Sequence, residues 1–182
     1  MLKTILSHID IYTDTVQTIK LPLEEYRLKI FESFVLGRRL QQDPRNYGFT
    51  DYTVPMIQHF SFFHDYIRDF FFLEAQITLI FQNQFGNIYA PMEQSITRPQ
   101  VNPQDLINSP DYTYIYGVDV APDSCELVIE YDDNPRKNKL WRIPLATNKF
   151  IIFPSVQRHF ISQNKSANMN VFLTTNARSI KQ

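Results

Sequence analysis

The chain has 182 residues, of which 43% are hydrophobic and 20% charged, and a formal net charge of -1 at pH 7. This composition is typical of one globular domain and excludes a disordered chain, and the balanced charge does not favour binding to nucleic acid or an acidic membrane. The single cysteine, Cys125, excludes an internal disulfide framework and a thiolate zinc site. Because no apolar stretch is as long as a membrane span, we expect a protein made in the cytoplasm.

The first 75 residues predict an extended arm followed by two helices. In residues 1–20 apolar and polar side chains alternate loosely, which favours an N-terminal arm or strand. In the helical part, residues 21–75, Pro22 opens a first helix that ends before Pro44, and Pro55 opens a second. Both helices carry apolar residues at steps of three and four, so each has one face to bury. These residues are Leu23, Ile30, Phe31, Phe34 and Val35 in the first helix and Met56, Phe60, Phe63, Ile67 and Phe71 in the second.

Residues 76–176 predict a β core, after which residues 177–182 form a C-terminal tail. A run of period two starts at Ile77 and meets a turn at Phe85-Gly86-Asn87. Short β-rich runs separated by turn residues then follow, at 112–120, 125–131, 140–143, 150–153, 158–162 and 169–175. Two helices followed by such strands indicate an α+β fold with a sandwich or barrel, and we treat residues 1–182 as one domain.

A long connection, residues 91–110, holds four of the eleven prolines and separates the two β-rich regions. Loops of this length in a compact domain are usually functional. We therefore take residues in or just after it as candidates for an interaction surface, namely Arg98, Pro99, Tyr112, Tyr114 and Tyr116. The three tyrosines share one strand face, and core packing explains that stripe equally well. A third possibility is a sugar or small-molecule pocket in which they meet Trp141.

Several segments of the β core occur in an order typical of a known family. They are Ala121-Pro122-Asp123-Ser124, Glu126-Leu127-Val128-Ile129, and Ile152-Phe153-Pro154-Ser155 leading to His159 and Asn164. Together with the upstream run ITLIFQNQFGNIY, they resemble the 2-oxoglutarate/Fe(II)-dependent dioxygenases of bacteria and cyanophages. The resemblance covers residues 45–176 and implies a double-stranded β-helix, or jelly roll, with the two preceding helices packed on the sheet.

The resemblance also implies an iron site of two imidazoles and one carboxylate, with His159 as the distal ligand. The near ligands, in the form His-X-Asp/Glu, are implied for residues 91–111, which contain no histidine. An arginine that binds 2-oxoglutarate is implied for the last strand, where residues 168–172 contain neither Arg nor Lys. The family's metal and co-substrate residues are thus missing from their usual places.

We therefore interpret the chain as a non-catalytic jelly roll, a pseudoenzyme with no catalytic, metal-binding or cofactor-binding residues and no cofactor. Its role would be that of a structural or assembly module. Because the family occurs in tailed phages, the specific hypothesis is a virion component of the neck, tail or capsid. The expected partners are other structural proteins or further copies of the chain, without membrane or nucleic acid.

The alternative is an Fe(II)/2-oxoglutarate-dependent dioxygenase, a hydroxylase with Fe(II) and 2-oxoglutarate as cofactors. His159 would then be the distal iron ligand, and Asp105 or Asp111 would supply the carboxylate. The run His8-Ile9-Asp10 also spells His-X-Asp, but it precedes both helices, where the family pattern has no ligand. His59 and His64 lie five residues apart in the second helix and so on different faces, which favours capped or surface histidines.

Overall fold

A computed structural model describes residues 9–16, 23–38, 49–50, 60–131 and 139–181. Helix α1 spans Leu23–Arg38 and helix α2 spans Ser61–Ala75. The strands are β1 (Tyr12–Thr15), β2 (Phe49–Thr50), β3 (Ile77–Tyr89), β4 (Tyr112–Asp119), β5 (Glu126–Tyr131), β6 (Lys139–Pro144), β7 (Lys149–Pro154), β8 (His159–Ile161) and β9 (Asn170–Lys181). No helix in these ranges is long and apolar enough to cross a membrane.

The strands form two antiparallel sheets. The larger sheet has six strands in the order β1-β7-β4-β9-β3-β2, and the smaller has three in the order β6-β5-β8. Strands that are distant in sequence are neighbours in both sheets, as expected of a jelly roll rather than a meander. Among the described strands, β1 and β6 lie at the ends of their sheets.

The two helices cover one face of the larger sheet. Phe60, Phe63, Ile67 and Phe71 are all fully buried, which confirms the predicted apolar face of α2 for the residues the structure describes. The Phe63 ring packs 4.2 Å, between centroids, from that of Tyr116. The start predicted for this helix at Pro55, and the side chains of Met56 and Phe34, lie outside the described residues.

A second core fills the space between the two sheets. Ile115 and Phe153 of the larger sheet pack there with Leu127, Ile129 and Ile143 of the smaller one. Because side chains alternate along a strand, the neighbours of Ile115 and Phe153 point the other way, toward the helices. The result is the predicted α+β jelly roll with two helices on its larger sheet, and this prediction is confirmed.

Three local predictions are wrong. Phe85-Gly86-Asn87 is no turn, because β3 runs unbroken from Ile77 to Tyr89. Gly86 instead packs directly against α1, since a Cβ atom there would lie 2.7 Å from Cγ2 of Ile30. Residues 177–181 are no tail either, because β9 continues to Lys181 in its pairing with β3. In α1, Val35 is 56% exposed although we expected it on the buried face.

Candidate functional site

His159 lies on β8 with its side chain between the two sheets, and only 5% of the residue is exposed. Its ring meets the ring of Phe153 edge-on, with centroids 4.6 Å apart. Nδ1 donates a hydrogen bond to the carbonyl oxygen of Gln157 at 2.9 Å, because a carbonyl can only accept. In the neutral ring Nε2 therefore carries the lone pair, and none of the described contacts gives it a hydrogen-bond partner.

The ring of His159 is neutral at physiological pH. Burial lowers the pKa of His159 to about 4, the bond to Gln157 opposes this shift, and the positive charge of Arg98 adds to it. A neutral imidazole with a free lone pair can bind a metal ion or accept a hydrogen bond.

His159 belongs to a cross-strand row of four residues, which we call the inner row. Arg98, His159, Ile129 and Trp141 are successive partners across neighbouring strands. Residues paired directly across antiparallel strands project to the same face. The inner row therefore runs across the face of the smaller sheet that looks toward the larger one.

Arg98 is the residue that faces His159 from the long loop. Two backbone hydrogen bonds join them, from Arg98 N to His159 O at 3.1 Å and from His159 N to Arg98 O at 3.2 Å. The Arg98-Pro99-Gln100 run thus lies in the loop where the family resemblance implies His-X-Asp/Glu. A guanidinium stays protonated and only donates hydrogen bonds, so it cannot bind a metal ion.

A cavity of about 980 Å³ opens at the edge of the sandwich, between the N-terminal arm and the smaller sheet. We call it the mouth cavity. Its walls are residues 9–13, Ile129, Tyr131, residues 141–144 and Gln157. Ile129 and Gln157 are also the cross-strand neighbour and the hydrogen-bond acceptor of His159. The mouth cavity therefore reaches the immediate surroundings of the buried imidazole.

The walls of the mouth cavity are mostly apolar or aromatic. Trp141, the only tryptophan of the chain, is 61% exposed there. Arg142 brings a positive charge to the wall, and its Nη1 donates a hydrogen bond to Glu126 at 3.0 Å. Such walls suit the carbon body of an organic molecule.

Of the ligands that the family resemblance implies for an iron ion, the described residues supply only the distal histidine, His159. Among them, no three His, Cys, Asp or Glu side chains form a group that could hold a metal ion. Asp105 accepts hydrogen bonds from Asn108, and Asp111 accepts two from Ser179, at 2.7 and 2.9 Å. Neither of the carboxylates predicted for the dioxygenase alternative joins His159 in such a group.

The other histidines do not complete a site among the described residues. His64 is not a capped or surface histidine as predicted, because it is 2% exposed and bonded to Gln84 and Tyr114. Those contacts place it between α2 and the larger sheet, on the opposite side of that sheet from His159. His8 and His59 lie outside the described residues.

The run His8-Ile9-Asp10 is described only in part. Burial first, and then the negative charge of Asp10, raise the pKa of Tyr12. Tyr12 packs with the helix-side core, and Asp10 lies in the wall of the mouth cavity. Among the described residues, Asp10 and His159 do not belong to a group of three that could hold a metal ion.

Asn170 is the buried polar residue of the segment in which the resemblance implies a co-substrate arginine. Its Oδ1 accepts a hydrogen bond from Ala121 N at 3.0 Å, and its Nδ2 donates one to Ser124 Oγ at 2.8 Å. These bonds fix the turn before β5. Asn170 therefore stabilises this turn, and it has no positive charge with which to bind a carboxylate of 2-oxoglutarate.

The tyrosine stripe belongs to the core. Tyr114 and Tyr116 are 1% and 0% exposed, and Tyr112 packs edge-on against Phe71 with centroids 4.9 Å apart. All three face the helices, whereas Trp141 lines the mouth cavity, so these four residues do not converge on one pocket. Of the loop candidates, Arg98 is exposed and Pro99 half-buried.

Solved structures share this architecture at low sequence identity. A 2OG-Fe(II) oxygenase family oxidoreductase from Burkholderia pseudomallei is 13% identical, with a TM-score of 0.61, over 92% of this chain and 84% of that one. The Pseudomonas putida prolyl-4-hydroxylase is 11% identical, with a TM-score of 0.60, over 92% and 91%. The viral collagen prolyl hydroxylase of Paramecium Bursaria Chlorella virus-1, solved as a 2OG complex, is 13% identical, with a TM-score of 0.61, over 93% and 97%.

The chain has the fold of the 2OG-Fe(II) oxygenases. The family resemblance seen in the sequence is therefore confirmed at the level of this oxygenase fold. No protein-family model matches the sequence, and the search of curated proteins finds no relative.

The comparisons contradict the interpretation of the chain as a non-catalytic structural or virion module. The structures that share its oxygenase fold are hydroxylases and other 2OG-dependent enzymes, and none of those named here is a structural protein. The expectations of no enzymatic activity and no cofactor are corrected for the same reason, because the matching structures are those of a 2OG-Fe(II) oxygenase and of prolyl hydroxylases, one of them solved as a 2OG complex. The expected partners stay a prediction.

Proposed function

We propose that the chain is an Fe(II)/2-oxoglutarate-dependent oxygenase that acts on a ligand in the mouth cavity. The observation that carries the proposal is the burial, orientation and neutral charge of the His159 ring in this fold. Its buried ring is held by the Gln157 carbonyl, is neutral and presents Nε2 without a partner among the described contacts. These are the properties required of the distal iron ligand in a 2-oxoglutarate oxygenase.

For this chemistry, residues around His159 orient its imidazole ring and exclude water from it. Gln157 fixes the orientation of the imidazole, and Phe153 packs against its ring. Ile129, which is 2% exposed, helps to keep water from the buried ring of His159. The oxidising chemistry itself would come from bound iron and 2-oxoglutarate. Because Arg98 does not fit a ligand position, a complete iron site requires donors beyond the described residues.

Metal uptake tests this proposal. We expect the full-length chain to bind about one Fe(II) under anaerobic conditions and then to convert 2-oxoglutarate to succinate when dioxygen is admitted. His159→Ala removes the proposed ligand and is expected to weaken iron binding about 100-fold or more. Elemental analysis after gel filtration and a succinate assay measure the two effects.

Arg158→Gln is the matched control. Arg158 is the chain neighbour of His159, and its Nε lies 3.0 Å from Glu130, with 62% of its side chain exposed. This variant is expected to bind iron as the wild type does. A wild-type chain that takes up no iron and releases no succinate, while circular dichroism shows it folded, would contradict the proposed function.

A further inference from the structure

The smaller sheet has one closed edge and one open edge. Its β8 edge is closed, because Ser95 and Arg98 of the long loop make backbone hydrogen bonds to Ile161 and His159. Its other edge is β6, which pairs with β5 on one side. In the part of the chain that the structure describes, no strand or loop pairs with the other side of β6.

The pairing of β5 shows which backbone groups of β6 point outward. Glu130 N donates a hydrogen bond on the β8 side of β5, at 2.8 Å. Because backbone groups alternate in direction along a strand, Ile129 bonds on the opposite side, to its β6 partner Trp141. Leu140 and Arg142 flank Trp141 and therefore direct their N–H and C=O groups outward. Within the described ranges these four groups have no hydrogen-bond partner.

The side chains along this open edge are also exposed. Leu140 is 46% exposed and Trp141 is 61% exposed, so apolar surface lies beside the unpaired backbone. Native proteins usually protect an edge strand with charges, proline or a covering segment. The edge of the larger sheet has some protection of this kind, because Asp14 Oδ1 accepts the N–H of Thr15 in β1 at 2.7 Å. The centre of β6 has none among the described residues.

We infer that two copies of the chain pair through β6, antiparallel and about a two-fold axis at Trp141. In this register Leu140 of each copy lies opposite Arg142 of the other, and each of these two pairs exchanges two backbone hydrogen bonds. The four interchain bonds use every outward backbone group of Leu140 and Arg142. The two smaller sheets join into one sheet of six strands, and the contact is isologous, as in most homodimers.

The side chains of β6 complement themselves in this register. Lys139 lies opposite Ile143 and Arg142 opposite Leu140, so no two positive charges face each other directly. The charge of Arg142 is also compensated within its own copy by Glu126, at 3.0 Å. The two Trp141 rings lie opposite each other and cover one another. Since Trp141 lines the mouth cavity, each copy adds a ring to the rim of the other's cavity.

This inference goes beyond the proposed function, because the pairing requires neither iron nor 2-oxoglutarate. Measured in EDTA, the association of the chain tests the β6 contact alone. Failure of iron uptake would leave the contact standing, and a monomeric chain would leave the proposed function standing.

Sedimentation velocity of the full-length chain over a wide range of protein concentration is the first test, and we expect a reversible dimer. Leu140→Pro removes an N–H that points away from β5, so the monomer should keep its fold. The variant loses two of the four interchain hydrogen bonds, and we expect its dimer to dissociate about 30-fold more readily. Leu140→Thr is the matched control, because it changes the same side chain and keeps the N–H.

A cross-linking experiment tests the register without a change to the backbone. The Cα atoms of the two Trp141 residues would lie about 4.5 Å apart, as in a pair without mutual hydrogen bonds, which suits a disulfide. Trp141→Cys should therefore form a covalent dimer in a glutathione redox buffer. Leu140→Cys, one residue away, should not, because its two copies lie diagonally, beyond about 7 Å. The native Cys125 is buried and should not react.

Three outcomes would overturn the inference. The first is a folded wild-type chain that stays monomeric at every concentration. The second is a Leu140→Pro variant that dimerises as well as Leu140→Thr. The third is cross-linking of Leu140→Cys as readily as Trp141→Cys, which would indicate random collision or another register. If Leu140→Pro does not fold, the two cysteine variants still decide the question.

Discussion

At the scale of single residues, the buried histidine on the helix side of the larger sheet makes stability depend on pH. Burial lowers the pKa of His64 to about 4, whereas a histidine in the unfolded chain titrates near 6.5. As the pH falls below 6.5, the unfolded chain gains a proton that the folded chain does not accept until about pH 4. The free energy of unfolding should therefore fall, by about 2 kcal/mol for this residue between pH 7.5 and pH 5.

Urea unfolding of His64→Gln measures this contribution. The variant keeps a polar side chain beside Gln84 but has no proton to gain, so its stability should depend less on pH, by about 2 kcal/mol over that interval. His159 remains in the variant, and its pKa is also lowered, so part of the pH dependence persists. Equal pH dependence of wild type and variant would show that His64 is not the group responsible.

At the scale of elements, two of the described glycines lie in strands where another part of the chain packs directly against the backbone. A Cβ atom on Gly117, in β4, would lie 2.1 Å from the carbonyl oxygen of Ala146. That oxygen belongs to the backbone, and Asn148 N donates a hydrogen bond back to Gly117 O at 2.9 Å. Gly117→Ala must therefore move the backbone, and we expect it to lower the free energy of unfolding by about 3 kcal/mol.

Gly86→Ala is the matched substitution, since its new Cβ meets the side chain of Ile30 rather than backbone. We expect a smaller loss, of about 1 kcal/mol, because a side chain can shift where a carbonyl cannot. The double variant Gly86→Ala/Ile30→Ala should lose less stability than the sum of the losses of the two single variants, because shortening Ile30 makes room for the new methyl group. Additive losses in chemical denaturation would contradict this account of the contact.

The spacing of apolar residues predicted most helices and strands well, because that spacing reflects which face of each element is buried. The apolar steps of α2 and the short β-rich runs that form β4 to β8 follow directly from which faces meet the two cores. The bounds of β3 and β9 were missed, because Gly86 and the polar residues after Asn176 look like a turn and a tail. Their backbones pair with each other along both strands, and this long-range ladder overrides local composition.

The candidate site was predictable only for the residue that the resemblance names. His159 followed from the family pattern, but its pairing with Arg98 depends on the register between a loop segment and a strand, which no local pattern encodes. The mouth cavity was missed for the same reason, since its walls come from an arm and a hairpin far apart in sequence.

At the scale of the whole molecule, the larger sheet separates two chemically different regions. On its helix side, His64, Gln84 and Tyr114 form a hydrogen-bonded group in a core of aromatic rings, and the Nε2 atom of Gln84 is buried there without a hydrogen-bond partner. On its other side, the core between the sheets opens at one edge into the mouth cavity, beside His159. The proposed function places ligand binding in the second region, because the mouth cavity opens there beside His159, whose Nε2 has no hydrogen-bond partner among the described contacts.

This division predicts which histidines an iron site would use. The chain has four histidines, and both ring nitrogens of His64 are bonded, to Gln84 and Tyr114, on the far side of the larger sheet. Any second imidazole in the proposed iron site would then have to come from His8 or His59, which lie outside the described residues. In anaerobic Fe(II) titrations we expect His64→Gln to keep its iron, and either His8→Ala or His59→Ala to lose binding about 100-fold, as His159→Ala does. If both of those variants keep full iron uptake while His159→Ala loses it, the iron site has a single imidazole, and the two-histidine arrangement of the oxygenase family does not apply to this chain.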